Sequence, residues 1–197
     1  MTDVILFNHA LGVTDGVVAF ADRIRDGGHR VTVGDLFDGA TFDSLEEGVA
    51  HEEAIGWEAM IGRSEAAAAA LPPDVVFAGF SLGAVYAQRL AQTRAGALGA
   101  LLYHGGDNPA SAFETSWPAQ AGLQIHVSED DPWFDRDGGE KLVSEAGGEL
   151  FLYPGAAHLF TDGSWAEYDE ASTDLVIERS LGFLDRLAQE PATAPSG

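Results

Sequence analysis

Along the chain, short unbroken apolar runs alternate with longer stretches in which apolar residues return at helical spacing. Six runs, 4–7, 31–33, 75–78, 100–103, 125–127 and 150–153, show no alternation of apolar with polar positions, the pattern of strands buried on both faces. Helical character fills 15–26, 44–70, 82–93, 136–146 and 165–188. The interleaving predicts βαβ units, and hence a single-domain α/β fold over 1–189: a mostly parallel sheet of about six strands flanked by helices. Gly27-Gly28 stops the first helix, and Pro72-Pro73 cuts off the helix containing the alanine run 66–70. The segment 190–197, EPATAPSG, is small, polar and broken by proline, and is expected to be a disordered tail.

Composition fits this picture, and charge narrows the partners. A chain of 197 residues that is 46% hydrophobic and 21% charged can bury one substantial core. No apolar run approaches the ~18 residues of a membrane span, so no membrane partner is expected. The opening Met1-Thr2-Asp3-Val4 has no basic region ahead of an apolar one, which predicts no secretory signal and a cytoplasmic protein. The formal charge of -22, from 32 acidic against 10 basic residues, repels phosphate backbones and excludes nucleic acid as an expected partner. With no Cys there is no disulfide framework, thiolate metal site or cysteine nucleophile. No cofactor or metal is called for, and nothing in the sequence specifies an oligomeric state.

The stretch VVFAGFSLGAVYAQRLA (75–91) interrupts the third apolar run with Gly79-Phe80-Ser81-Leu82-Gly83, at the junction of a predicted strand and a predicted helix. That is the context of a nucleophile elbow, where a sharp turn holds a hydroxyl above the sheet and side chains flanking it would collide. Chance alone gives roughly 0.2 such patterns in a chain of this composition, so placement matters more than the bare motif. A tight turn with an ordinary capping serine is the competing reading.

A serine hydroxyl needs an imidazole to take its proton and a carboxylate to orient that imidazole, and in an α/β hydrolase sheet they follow in the order Ser, acid, His. The fifth predicted strand runs into Ser128-Glu129-Asp130-Asp131-Pro132 and the sixth into Pro154-Gly155-Ala156-Ala157-His158. Parallel strands bring these loops to one edge of the sheet. Of the six histidines, His29 lies at the opposite edge, His51 falls in a helix, His126 lies within a strand, and His104 precedes the acid in sequence. His158, with small residues before it, fits the base. Glu129, Asp130 and Asp131 are adjacent, and only one can point inward.

Together the segments NHALGVTDGV, GHRVTVGDLFDG, AGFSLGA, HVSEDDPWFD and YPGAAHLFTD, in that order over nearly the whole chain, resemble the dienelactone hydrolase family of α/β hydrolases. The resemblance implies that Asp131, counted from His126 in H-x-x-x-x-D before a Pro-aromatic step, is the acid, with Asp130 its competitor, and that His158 in G-x-x-H-x-F is the base. It also implies an oxyanion hole from the backbone N–H groups of Ala10 and Leu82. Three positions depart from the family. Ser81 stands where its best-known members have Cys, His9 where they have Glu, and Asp162 where they have an Arg that binds a substrate carboxylate. A neutral or cationic ester or lactone is therefore the expected substrate. His9, Phe80, Tyr103, His104, Trp133 and Phe160 are candidate pocket residues, with His9 placed either to contact Ser81, to line the pocket or to make a structural hydrogen bond. A thioesterase or acyl transferase could use the same residues, and a silent member would only bind a small molecule.

Overall fold

The computed structural model describes residues 1–189; the expected tail 190–197 lies outside the described residues. Six strands form one sheet: β1 (Asp3–Phe7), β2 (Arg30–Gly34), β3 (Val75–Phe80), β4 (Gly99–Tyr103), β5 (Gly122–Ser128) and β6 (Glu149–Tyr153). Every neighbouring pair is parallel, in the order β2-β1-β3-β4-β5-β6. The chain steps outward from β1 to β2 and then returns to the other side at β3. The crevice above β1 and β3 is thus the point where strand order reverses, the place where open α/β sheets bind ligands.

Strand alternation divides the core. Ile5, Phe7, Val75, Phe77, Ala100, Leu102 and Ile125 face one side, where they pack against α4 (Leu82–Thr93), α3 (Trp57–Ala68) and α5 (Arg136–Ala146). Val4, Leu6, Val76, Ala78, Phe80, Leu101 and Tyr103 face the other, against α1 (Asp15–Asp26) and α6 (Glu170–Gln189). Both faces are apolar because both are covered, which is why the strands read as unbroken runs.

Two helix boundaries differ from expectation. The predicted helix 44–70 is two helices, α2 (Leu45–Ile55) and α3. Gly56, at φ 85°, closes the first and opens the second: its N–H donates to the Glu52 carbonyl at 2.9 Å, and its carbonyl accepts from Met60 N–H at 3.1 Å. That conformation suits glycine, and helical periodicity runs through it unbroken. The last helix begins at Glu170 rather than at 165. Asp169 caps it, accepting from Ala171 and Ser172 N–H at 3.0 and 3.2 Å, and 161–169 instead form turns over the sheet edge.

Candidate active site

Ser81 joins β3 to α4 at φ 49°, ψ −114°, a conformation L-residues rarely adopt. Its N–H donates to the Tyr103 carbonyl at 2.7 Å and its carbonyl accepts from Ala84 N–H at 2.9 Å, so both sides of the turn are pinned. The flanking glycines are steric necessities. A Cβ on Gly79 would lie 2.2 Å from the Gly83 carbonyl oxygen, and one on Gly83 would lie 2.5 Å from that of Asn8.

From this turn the Ser81 hydroxyl meets His158 Nε2 at 2.7 Å, and His158 Nδ1 meets Asp131 Oδ2 at 2.7 Å. A carboxylate only accepts, so Nδ1 carries the ring proton and Nε2 presents its lone pair to the hydroxyl. Asp131 Oδ1 accepts from Trp133 N–H at 2.9 Å, which satisfies the second oxygen of a side chain with no solvent exposure. The neighbouring Asp130 is exposed. Three bonds tie the acid loop to the histidine loop: Ser128 Oγ to the Ala157 carbonyl at 2.6 Å, Glu129 N–H to the Tyr153 carbonyl at 2.7 Å, and Asp130 N–H to the Gly155 carbonyl at 3.0 Å.

The N–H groups of Ala10 and Leu82 donate to no acceptor among the described residues. Around Ala10 several groups of the loop are bonded. The His9 carbonyl accepts from Asn8 Nδ2 at 2.8 Å and from Gly12 N–H at 3.0 Å, and Leu11 N–H donates to His9 Nδ1 at 3.2 Å. His9 itself is buried and bonds Asp162 rather than Ser81: its Nε2 donates to Asp162 Oδ2 at 2.7 Å, with the two residues 1% and 3% exposed. Asp162 also accepts from Thr14 Oγ1 at 2.6 Å and from Ser164 N–H and Oγ at 2.7 and 2.5 Å. Burial alone would raise its pKa, but the bonds from His9, Ser164 and Thr14 overcome this and hold the carboxyl well below the usual range. Asp162 is thus buried and consumed by hydrogen bonds within the loops.

A cavity of about 400 Å³ opens beside His158, lined by Leu45, Glu46, Trp133, Trp165 and Glu167 among others, with no Lys or Arg. The Trp133 indole is 50% exposed and lies 5.7 Å from the His158 ring. A comparable cleft near Arg186 and Glu149 touches none of the residues above. Phe80, Tyr103 and Phe160, expected as walls, are buried in the core on the α1/α6 side, because strand alternation turns Phe80 and Tyr103 into that layer. His104 is buried beneath the site, at φ 56°, with Nε2 against Thr161 Oγ1 at 2.6 Å and its ring 6.0 Å from that of His158. Burial, then the neighbouring His158, His9 and His126, push its pKa well below the ordinary histidine value. Leu45, Glu46, Trp165 and Glu167 were not legible as site residues, since 44–70 and 165–188 each read as continuous helix; for the latter pair the Asp162-Gly163-Ser164 turn sequence was the available signal.

A parallel sheet with a strained serine turn at its reversal point, and with acid and histidine loops on the same edge, defines an α/β hydrolase. The chain belongs to the dienelactone hydrolase family, whose model matches residues 1–188, and is a hydrolase. Among solved structures it is similar to a dienelactone hydrolase-like promiscuous phosphotriesterase, P91, from metagenomic libraries, at 23% identity over 95% of this chain and 87% of that one, TM-score 0.78. It is similar also to a protein assigned as a dienelactone hydrolase from Klebsiella pneumoniae subsp. pneumoniae, at 18% identity over 96% and 88%, TM-score 0.73. A cold-adapted esterase from an Arctic intertidal metagenomic library shares the fold at 18% identity over 90% and 82%, TM-score 0.56. No curated protein matches the sequence. No helix among the described residues is long and apolar enough to cross a membrane.

Proposed function

We propose that the protein is a serine esterase or lactonase that cleaves a carboxylic ester through a covalent acyl-enzyme, with Ser81 as nucleophile, His158 as general base and acid, and Asp131 as its orienting carboxylate. The observation that carries this reading is the unbroken hydrogen-bonded chain from hydroxyl to imidazole to buried carboxylate, at 2.7 Å in each step. As Ser81 Oγ attacks the carbonyl carbon, its proton passes to Nε2, and Asp131 stabilises the imidazolium. The carbonyl oxygen becomes an oxyanion that accepts from the free N–H groups of Ala10 and Leu82; such a donor is worth on the order of 3 kcal/mol of barrier lowering. His158 then protonates the leaving alkoxide. A water, deprotonated by the same nitrogen, releases the acid and restores the serine.

The substrate is neutral or cationic. Glu46 and Glu167 contribute carboxylates to the cavity beside His158, no Lys or Arg among the described residues lines it, and the Trp133 indole offers an apolar face. The test is turnover of p-nitrophenyl acetate by wild type and Ser81→Ala. The variant is expected to lose activity by at least about 10³-fold with Tm within about 2 °C of wild type; equal activity in the two proteins contradicts the proposal.

A further inference from the structure

Nothing in the triad chemistry accounts for the most heavily bonded carboxylate among the loops above the sheet edge. Asp162 lies four residues beyond His158, and it accepts four hydrogen bonds from three residues on two different loops. Two of the donors, His9 and Thr14, belong to the loop after β1; the third, Ser164, belongs to its own turn. A Cβ on Gly16, at the start of α1, would sit 1.6 Å from Asp162 Oδ1, so α1 is also built to admit the carboxylate. His9 is used at both ring nitrogens. Leu11 N–H requires a lone pair on Nδ1, which places the ring proton on Nε2, facing Asp162.

Between His9 and Leu11 stands Ala10, buried, with an N–H that reaches no acceptor among the described residues. Buried backbone donors without partners are rare, and this one, followed by the bonded N–H groups of Leu11 and Gly12, is available to a bound acceptor. The adjacent Asn8 carbonyl packs against Gly83 in the first turn after Ser81, so this loop abuts the elbow itself.

We propose that His9 and Asp162 are a positioning pair: in the clamp of Leu11 N–H, imidazole and carboxylate, the bond to Asp162 fixes the Ala10 N–H as an oxyanion donor and locks its loop to the one that carries His158, while Leu11 N–H serves to set the ring tautomer. The proposal rests on the serine esterase reading above. Its logic is geometric, because a displaced oxyanion donor loses most of its effect within about 1 Å.

Two substitutions separate the halves of the clamp. His9→Gln can still reach Asp162 with an N–H but loses the acceptor for Leu11, whereas His9→Asn keeps a local acceptor and cannot reach Asp162. Wild type, Ser81→Ala and both variants are assayed with p-nitrophenyl acetate and with 2,2,2-trifluoroacetophenone, which forms a tetrahedral adduct with an active serine. His9→Asn should lose about 10²-fold in kcat and a similar factor in affinity for the ketone, with KM within about twofold and the pH midpoint of kcat/KM unmoved. His9→Gln should stay within about fivefold of wild type. The proposal is overturned if His9→Asn keeps wild-type kcat, if both variants fall equally, or if the loss appears in KM or in the pH midpoint. Should His9→Asn fail to fold, Asp162→Asn must show the same kcat-only loss, and wild-type kcat there overturns the proposal equally. Absence of Ser81-dependent turnover in wild type brings down the esterase reading and this inference with it, an outcome distinct from active wild type with an indifferent His9→Asn.

Discussion

Ser81 holds a backbone conformation that its side chain resists, and the surrounding bonds enforce it. Four non-glycine residues among those described have positive φ, and two of them, Ser81 and His104, directly follow the adjacent strands β3 and β4. Strain of this kind costs of order 1–3 kcal/mol per residue. Ser81→Gly removes the Cβ and the strain, while Ser81→Ala removes only the hydroxyl. The glycine variant should therefore be more stable than the alanine variant by about 1 kcal/mol, read as a Tm higher by roughly 2–4 °C in thermal unfolding. An alanine variant equal to or above the glycine variant contradicts the strain argument. At this scale the sequence was informative where chemistry demands small neighbours, as at Gly79 and Gly83, and silent where the answer depends on a turn. Asp130 and Asp131 are identical side chains in sequence; what separates them is the turn in which Asp131 N–H approaches the Ser128 carbonyl at 3.4 Å and its Oδ1 takes Trp133 N–H. Only the family resemblance pointed to Asp131. His9 and Asp162 were each legible as unusual, but their pairing, between residues far apart in sequence, was not.

Elements were legible where periodicity alone decides them, and less so where a single residue ends them. All six strands and the helices α1, α4 and α5 follow the apolar pattern. The break at Gly56 and the late start of α6 depend on one φ angle and one capping aspartate. Phe80 and Tyr103 fall in the core for a related reason: a run buried on both faces hides which side each residue takes, so neither could be assigned to core or cleft from sequence. Two glycines show how differently helices use this residue. In α4, Gly83→Ala drives a methyl to 2.5 Å from the Asn8 carbonyl oxygen and 2.8 Å from that of Phe7, backbone atoms that cannot step aside. It should destabilise by at least about 2 kcal/mol and reduce turnover by displacing the loop before Ala10. In α3, Gly62 is exposed, a methyl placed on it would have nothing within 4 Å, and Gly62→Ala should stabilise by up to about 1 kcal/mol. Denaturant unfolding of both variants checks the contrast; equal effects would contradict the packing described for α4.

Over the whole molecule, acidity and buried histidines set the response to pH. Burial lowers the pKa of His29, with Asp185 opposing it, and drives that of His126 down to about 3, with Arg179 adding to the shift. His104 is lowered in the same direction. A histidine lowered in the folded state binds fewer protons there than in the unfolded chain, so stability is lost as pH falls from about 6.5 toward the folded value. Relief of repulsion among the 32 acidic residues acts in the opposite sense, but mainly near pH 4 where carboxylates titrate. Unfolding free energy should therefore decline between about pH 7.5 and 5.5, and less steeply in His126→Gln. A flat profile in that window contradicts the buried histidine assignments. Below about pH 4 a second loss is expected as Asp162, held low in the folded state, is protonated on unfolding.

The claim on which the functional account depends is that one hydroxyl, among all those in the chain, is nucleophilic. Treating the folded protein with a fluorophosphonate and mapping the adduct by peptide mass spectrometry tests it most directly. A single adduct on Ser81, absent from His158→Ala and from heat-unfolded protein, is the predicted result. An unlabelled Ser81, or labelling spread over other serines and unchanged in His158→Ala, would contradict it.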